Sequence, residues 1–110
     1  MVWQKAHGLV LQTYKLTANF PKSEMFSLTS QMRRSAVSVT SNIAEGFARR
    51  GAKEKVQFYF QAKSSLVELQ SQLEIAKDLK YIDKVEFDDL EISAGEVHKM
   101  ISGLIKSQRG

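Results

Sequence analysis

Few side chains in this chain could do acid–base or metal chemistry, and they are poorly spaced for it. Only His7 and His98 offer imidazole, and the chain has no cysteine. Neither a thiol nucleophile nor a thiolate ligand is therefore available. A di-iron site in a helical bundle needs Glu-x-x-His on two helices. Here Gln4 stands three residues before His7 and Gly95 three before His98, so both positions fail. Glu45, Glu54, Glu68 and Glu74 could converge, but without a histidine partner they are not expected to hold a metal. No G-x-S-x-G, P-loop or dinucleotide fingerprint is present. Ser64-Ser65 reads as a point of close helix approach rather than a nucleophile. Neither catalysis nor a cofactor is expected.

The remaining candidates act by charge. Arg49, Arg50, Lys53 and Lys55 form the densest basic cluster. Such a cluster can hold the phosphates of RNA or DNA without reading bases. The plainer alternative is a solvated turn whose charges sit at helix ends. Trp3, Tyr14 and Tyr81 could stack on bases, although aromatic rings at helix ends more often anchor packing. Arg33 and Arg34 are expected to form structural ion pairs with Glu45 and Glu68, across the bundle or across a subunit boundary, because buried charges persist when paired. Glu45 and Arg49 are also spaced i,i+4 on one helix. Asn42, beside Glu45, is expected to satisfy a backbone or carboxylate group locally.

The element that must position these residues is the stretch from Gln31 to Gly51. Leu28, Met32, Ala36, Val39, Ile43 and Phe47 step by four or three residues, which keeps one stripe of a helix on a core. Val37, Thr40, Ala44 and Ala48 form a second stripe almost free of charge, so this helix should contact neighbours on two sides. Ser27 is the expected N-cap and Gly51 the expected stop.

Three further helices follow from the same periodicity. The first spans about Val2–Asn19, with a seam of Val2, Ala6, Leu9, Thr13, Leu16 and Phe20, and is broken by Pro21. The third spans about Ala52–Lys80, roughly 40 Å if unbroken, on Tyr59, Ala62, Leu66, Leu69, Leu73 and Ala76. Phe58, Tyr59 and Phe60 are consecutive and cannot all face one core, so at least one ring needs a further neighbour. Asp83 and Glu86 make a capping box for the fourth helix, whose seam is Phe87, Leu90, Ala94, Val97, Ile101 and Leu104. The fold class is therefore all-α, an antiparallel up-down-up-down four-helix bundle, in one domain over residues 1–110.

Composition sets the remaining limits. With 110 residues the chain can bury one core. No window approaches the roughly 20 apolar residues of a membrane span, and MVWQKAHG does not resemble a secretory signal. Together with the absence of cysteine, this suggests a cytoplasmic home. A net charge of +4 favours anionic partners moderately.

An ordered set of short motifs is more specific than any of these features. Val2-Trp3-Gln4-Lys5-Ala6, Phe20-Pro21 with Glu24, Gln31-Met32-Arg33-Arg34, Ser41-Asn42-Ile43-Ala44-Glu45-Gly46 and Leu66-Val67-Glu68-Leu69 occur in sequence. Together they closely resemble the bacterial four-helix-bundle family encoded in intervening sequences of 23S ribosomal RNA genes, over about Val2–Ile82. Ser35, Thr40 and Ser64 depart from the residues frequent there, namely alanine, proline and glycine. Threonine at position 40 should leave the central helix straighter. The resemblance implies a homo-oligomer, by its analogy a homopentamer. A more distant likeness to the accessory proteins of diversity-generating retroelements implies a reverse transcriptase as a partner. Five copies of a +4 chain would carry about +20 and repeat the basic cluster around one rim. Two classes of function follow: an oligomeric binder of RNA or DNA, or a protein-interaction scaffold whose charge only keeps it soluble.

Overall fold

The computed structural model describes residues 1–109, arranged as four helices: α1 (Val2–Thr17), α2 (Leu28–Ala48), α3 (Ala52–Asp78) and α4 (Lys84–Arg109). A short 3-10 turn, Lys22–Glu24, lies between α1 and α2. Each helix packs on its neighbours in chain order and α4 closes back on α1, giving the expected up-down-up-down bundle of 44 × 25 × 19 Å. One continuous apolar core runs along its axis, from Val2, Phe20 and Leu28 to Ile101 and Ile105.

The first helix ends at Thr17 rather than Asn19, and Thr17 takes the buried place expected for Leu16. Two hydroxyls thereby enter the core, and both are satisfied. Thr13 donates to the Leu9 carbonyl and Thr17 to that of Thr13, each at 2.8 Å. A buried hydroxyl is costly only when unpaired, and the carbonyl one turn back supplies the partner. Beyond the helix, Phe20 tucks into the core and leads into the extended Pro21.

The central helix, α2, runs unbroken through Thr40, whose hydroxyl donates to the Val37 carbonyl at 2.7 Å. Its core stripe differs from expectation at one end. Gly46 is buried and Phe47 is 47% exposed. The reason is Tyr59, which is fully buried and whose ring lies where a side chain at position 46 would sit; a Cβ there would come within 2.8 Å of Tyr59 Cδ1. The second stripe is uncovered within the protomer: Val37, Ala44 and Ala48 are exposed.

Helix termini correct two further expectations. Ser27 occupies the N-cap position but does not cap; its hydroxyl donates to Glu24 Oε1 at 2.6 Å, and that same oxygen accepts from the Leu28 N–H at 3.4 Å. Glu24 therefore does the capping. Gly51 does not stop α2 in a left-handed conformation. It is extended, with φ −85°, and stands as the N-cap of α3. The one left-handed residue among those described is Lys80, at φ 65°. It ends α3 with paired hydrogen bonds, Lys80 N–H to Lys77 O at 2.9 Å and Tyr81 N–H to Ala76 O at 3.0 Å, the Schellman pattern that satisfies carbonyls a helix end leaves open. The capping box of α4 forms reciprocally, Asp83 N–H to Glu86 at 3.0 Å and Glu86 N–H to Asp83 at 2.8 Å. Along α4, Ile105 rather than Leu104 completes the buried seam.

Candidate nucleic-acid interface

The short connection between α2 and α3 places Arg49, Arg50, Lys53 and Lys55 at one end of the bundle, but the four are not equivalent. Lys55 donates to the carbonyls of Gly46 and Phe47, at 3.1 and 3.2 Å. It closes the open C-terminus of α2, so it is a capping group rather than a free phosphate ligand. Arg49 pairs with Glu45 at 2.8 Å, and its guanidinium lies 4.7 Å from the centre of the Phe58 ring. Arg50 and Lys53 are exposed and make no side-chain hydrogen bond or ion pair among the described residues.

Tertiary structure adds two cations that periodicity did not single out. Because α4 runs antiparallel to α3, its C-terminal turn meets the first turns of α3. Ala52, Lys53, Val56 and Gln57 line one side of a cleft there, and Gln108 and Arg109 line the other. Arg109 stacks over Phe60 at 5.5 Å, and Lys106 is exposed one turn earlier. The rim therefore carries Arg50, Lys53, Lys106 and Arg109, with Glu54 as the carboxylate among them. Arg109 is 56 positions from Lys53, so only the helix order joins them. The consecutive rings of α3 are accounted for here. Tyr59 points into the core, and Phe58 and Phe60 each lie under a guanidinium.

Charge is polarised along the long axis. Residues 49–55 hold four cations and Glu54, and residues 99–109 hold three cations and no acid; at the opposite end, residues 78–91 hold six acids and two lysines. The positive charge is thus concentrated at the end where α2 and α3 meet.

The expected structural ion pairs do not form within the protomer. Glu45 and Glu68 are exposed, and no ion pair joins either to Arg33 or Arg34 among the described residues. Arg33 is held by uncharged groups instead: its Nε donates to the Thr17 hydroxyl at 2.9 Å, and its guanidinium covers the Tyr14 ring at 4.6 Å. Arg34 is exposed. Both carboxylates lie on the solvent side of their helices, since the core stripes of α2 and α3 fall on other residues. Asn42 donates to the Ser38 carbonyl at 2.9 Å, and Ser65 meets Ser38 across α2 and α3 at 2.8 Å.

The aromatic candidates are also engaged. Trp3 stacks on His7 with ring centres 5.0 Å apart. Tyr81 packs on Phe20 and donates to Glu24 Oε2 at 2.7 Å. Glu24 therefore accepts from Ser27, Tyr81 and the Leu28 amide, and these bonds, Ser27's foremost, hold its carboxyl below the usual range. The same contact raises the Tyr81 phenol, with burial adding to it. This clasp joins the turn after α1 to the turn after α3, and its partners are too far apart in the chain for local spacing to reveal it.

Comparison with known proteins agrees with this architecture. The bundle is similar to a crystal structure of a protein of unknown function from the S23 ribosomal protein family of Bacteroides thetaiotaomicron, with a TM-score of 0.86 at 21% identity, covering 96% of this chain and 99% of that one. No curated protein is significantly similar to the chain. The model of the 23S rRNA-intervening sequence proteins matches residues 1–103, extending through most of α4 and so beyond the span over which motifs could be recognised. The chain belongs to the 23S rRNA-intervening sequence protein family.

Proposed function

We propose that this protein is a non-catalytic helical bundle that assembles from identical copies and holds RNA or DNA by its phosphates. The observation that carries this reading is the basic rim, where Lys53 and Arg109 line one cleft and the exposed Arg50 and Lys106 stand three residues from them in the chain, at one end of a polarised molecule. The cations are long, exposed and accompanied by no base-reading motif, so binding is electrostatic and insensitive to sequence. Assembly is supported by the uncovered apolar stripe of α2, and the family resemblance suggests five copies. Repeating the rim around a ring would multiply its field. A partner enzyme such as a reverse transcriptase would then act on nucleic acid held at that rim.

Reversing Arg50 and Lys53 to glutamate tests the reading. Affinity for structured RNA and for duplex DNA should fall together. The slope of log affinity against log salt should flatten by about 0.7–0.9 for each phosphate that is no longer neutralised. Reversing Lys106 and Arg109 should do the same. Circular dichroism and light scattering on both variants must first show unchanged helicity and assembly. If the folded variants bind as tightly as the parent, the rim is not the interface. A parent without affinity at low salt would favour the protein scaffold, a reading that rests on the exposed rings and apolar side chains of α2 and α3.

A further inference from the structure

Arg34 and Glu68 are both exposed and neither has an ion-pair partner within the protomer among the described residues. Each stands in an apolar surface that the bundle leaves uncovered. Arg34 borders a groove of about 670 Å³ between α1 and α2, lined also by Tyr14, Met25, Phe26, Arg33 and Val37. No carboxylate lines it, and Phe26 is 95% exposed there. Glu68 lies on the outer face of α3, where Phe60, Ser64, Val67, Ser71 and Ile75 step by four, three, four and four residues. That is a second seam on a helix whose first seam already faces the core. Phe60, Val67 and Ile75 on it are 41%, 52% and 47% exposed. Glu68 and Asp78 on it have no ion-pair partner among the described residues, Lys63 lines the same surface, and Glu74 is taken up by Lys77 at 3.1 Å.

We infer that the α1–α2 groove of one copy seats the outer face of α3 from the next, with Arg34 against Glu68 across the boundary. The inference rests on the homo-oligomer reading and specifies its contact. Charge favours this pairing: groove against groove would bring arginines together, whereas Glu68 offers the groove a carboxylate that its own lining lacks. When each copy offers its groove to one neighbour and its α3 face to another, the contact is head-to-tail, which generates a closed ring or an open chain.

Light scattering on Arg34→Glu, Glu68→Arg and the combined Arg34→Glu/Glu68→Arg chain tests this. Each single reversal should weaken assembly at least tenfold in dissociation constant, and the combined reversal should restore it, since the swapped charges again face one another. Both positions are on the surface, so helicity should be unchanged. Phe26→Ser, which removes a ring exposed in the protomer, should also weaken assembly and leave protomer stability intact. If the parent is oligomeric and the single reversals assemble as it does, the contact lies elsewhere and only this inference fails. A monomeric parent would overturn the oligomer reading and this contact together.

Discussion

Glu24 illustrates how much one side chain can organise when its partners come from distant segments. Its two oxygens accept from Ser27, the Leu28 amide and Tyr81, the last 57 positions away. A carboxyl held below its usual value of 4.5 contributes stability above that pH, and the contribution is lost as pH falls through the depressed value. Urea melts of Glu24→Gln should therefore differ from those of the parent at neutral pH. The gap should close as pH is lowered below about 4.5, where the parent's own carboxyl gains a proton. A gap that persists in acid would mean the clasp acts through shape alone. Glu45 is the opposite case. Its pair with Arg49 is half exposed, at 53% and 40% of the side chains, so Glu45→Ala should cost at most about 0.5 kcal/mol. A loss of about 3–5 kcal/mol, expected for breaking a buried pair, would require that Glu45 be covered in the assembly. Lys55 stands between these two extremes, because it satisfies two open carbonyls; Lys55→Ala should lower stability by about 1 kcal/mol and should leave the salt dependence of nucleic-acid binding almost unchanged.

At the scale of the helices, two backbone positions decide how the elements fit. At Gly46 the effects of alanine oppose one another. Helix propensity would gain about 1 kcal/mol, whereas overpacking costs about 1–3 kcal/mol. Tyr59 is fully buried and rests edge-on against Phe47, with ring centres 6.1 Å apart, so it has little room to give way. Gly46→Ala should be destabilising on balance, seen as a lower urea midpoint with unchanged slope; a midpoint at or above the parent's would show that the ring can shift. Lys80 offers the converse. A non-glycine residue in the left-handed region carries a strain of roughly 1–2 kcal/mol, partly offset by the greater freedom glycine has in the unfolded chain. Lys80→Gly should raise stability by about 0.5–1 kcal/mol. Thermal melts that moved downward would mean that the lysine side chain does more than tolerate the turn.

For the whole molecule, the antiparallel order of the helices has two consequences that no single segment contains. It brings the C-terminal turn of α4 beside the N-terminal turn of α3, which enlarges a four-residue cluster into a rim drawn from two helices. It also separates the charges, with cations at that rim and acids near the α3–α4 turn. Binding of a polyanion should then be directional. Replacing Asp83 and Asp88 by asparagine, at the far end, should raise RNA affinity far less than reversing Arg50 and Lys53 lowers it. Equal and opposite effects in a filter-binding titration would mean that net charge, rather than its placement, governs association.

Most of the fold was legible in the sequence, because helical periodicity and capping chemistry are local properties. Apolar residues spaced by three and four mark a face, and Asp83 with Glu86 closes its own box within one turn. All four core stripes were visible in this way, with errors at Leu16, Phe47 and Leu104, where a residue one position away is buried instead. Periodicity locates a face to within a fraction of a turn, and the neighbouring helix decides which side chain at its margin is covered. The candidate site was legible only in part. Arg50 and Lys53 lie in one exposed turn and could be read directly. That Lys55 caps α2, that Arg33 rests on Tyr14 and Thr17, and that Lys106 and Arg109 join the rim depend on which helix ends come together. Local spacing determines a helix and its faces; only the packing of one helix against another determines which charges remain free to meet a partner.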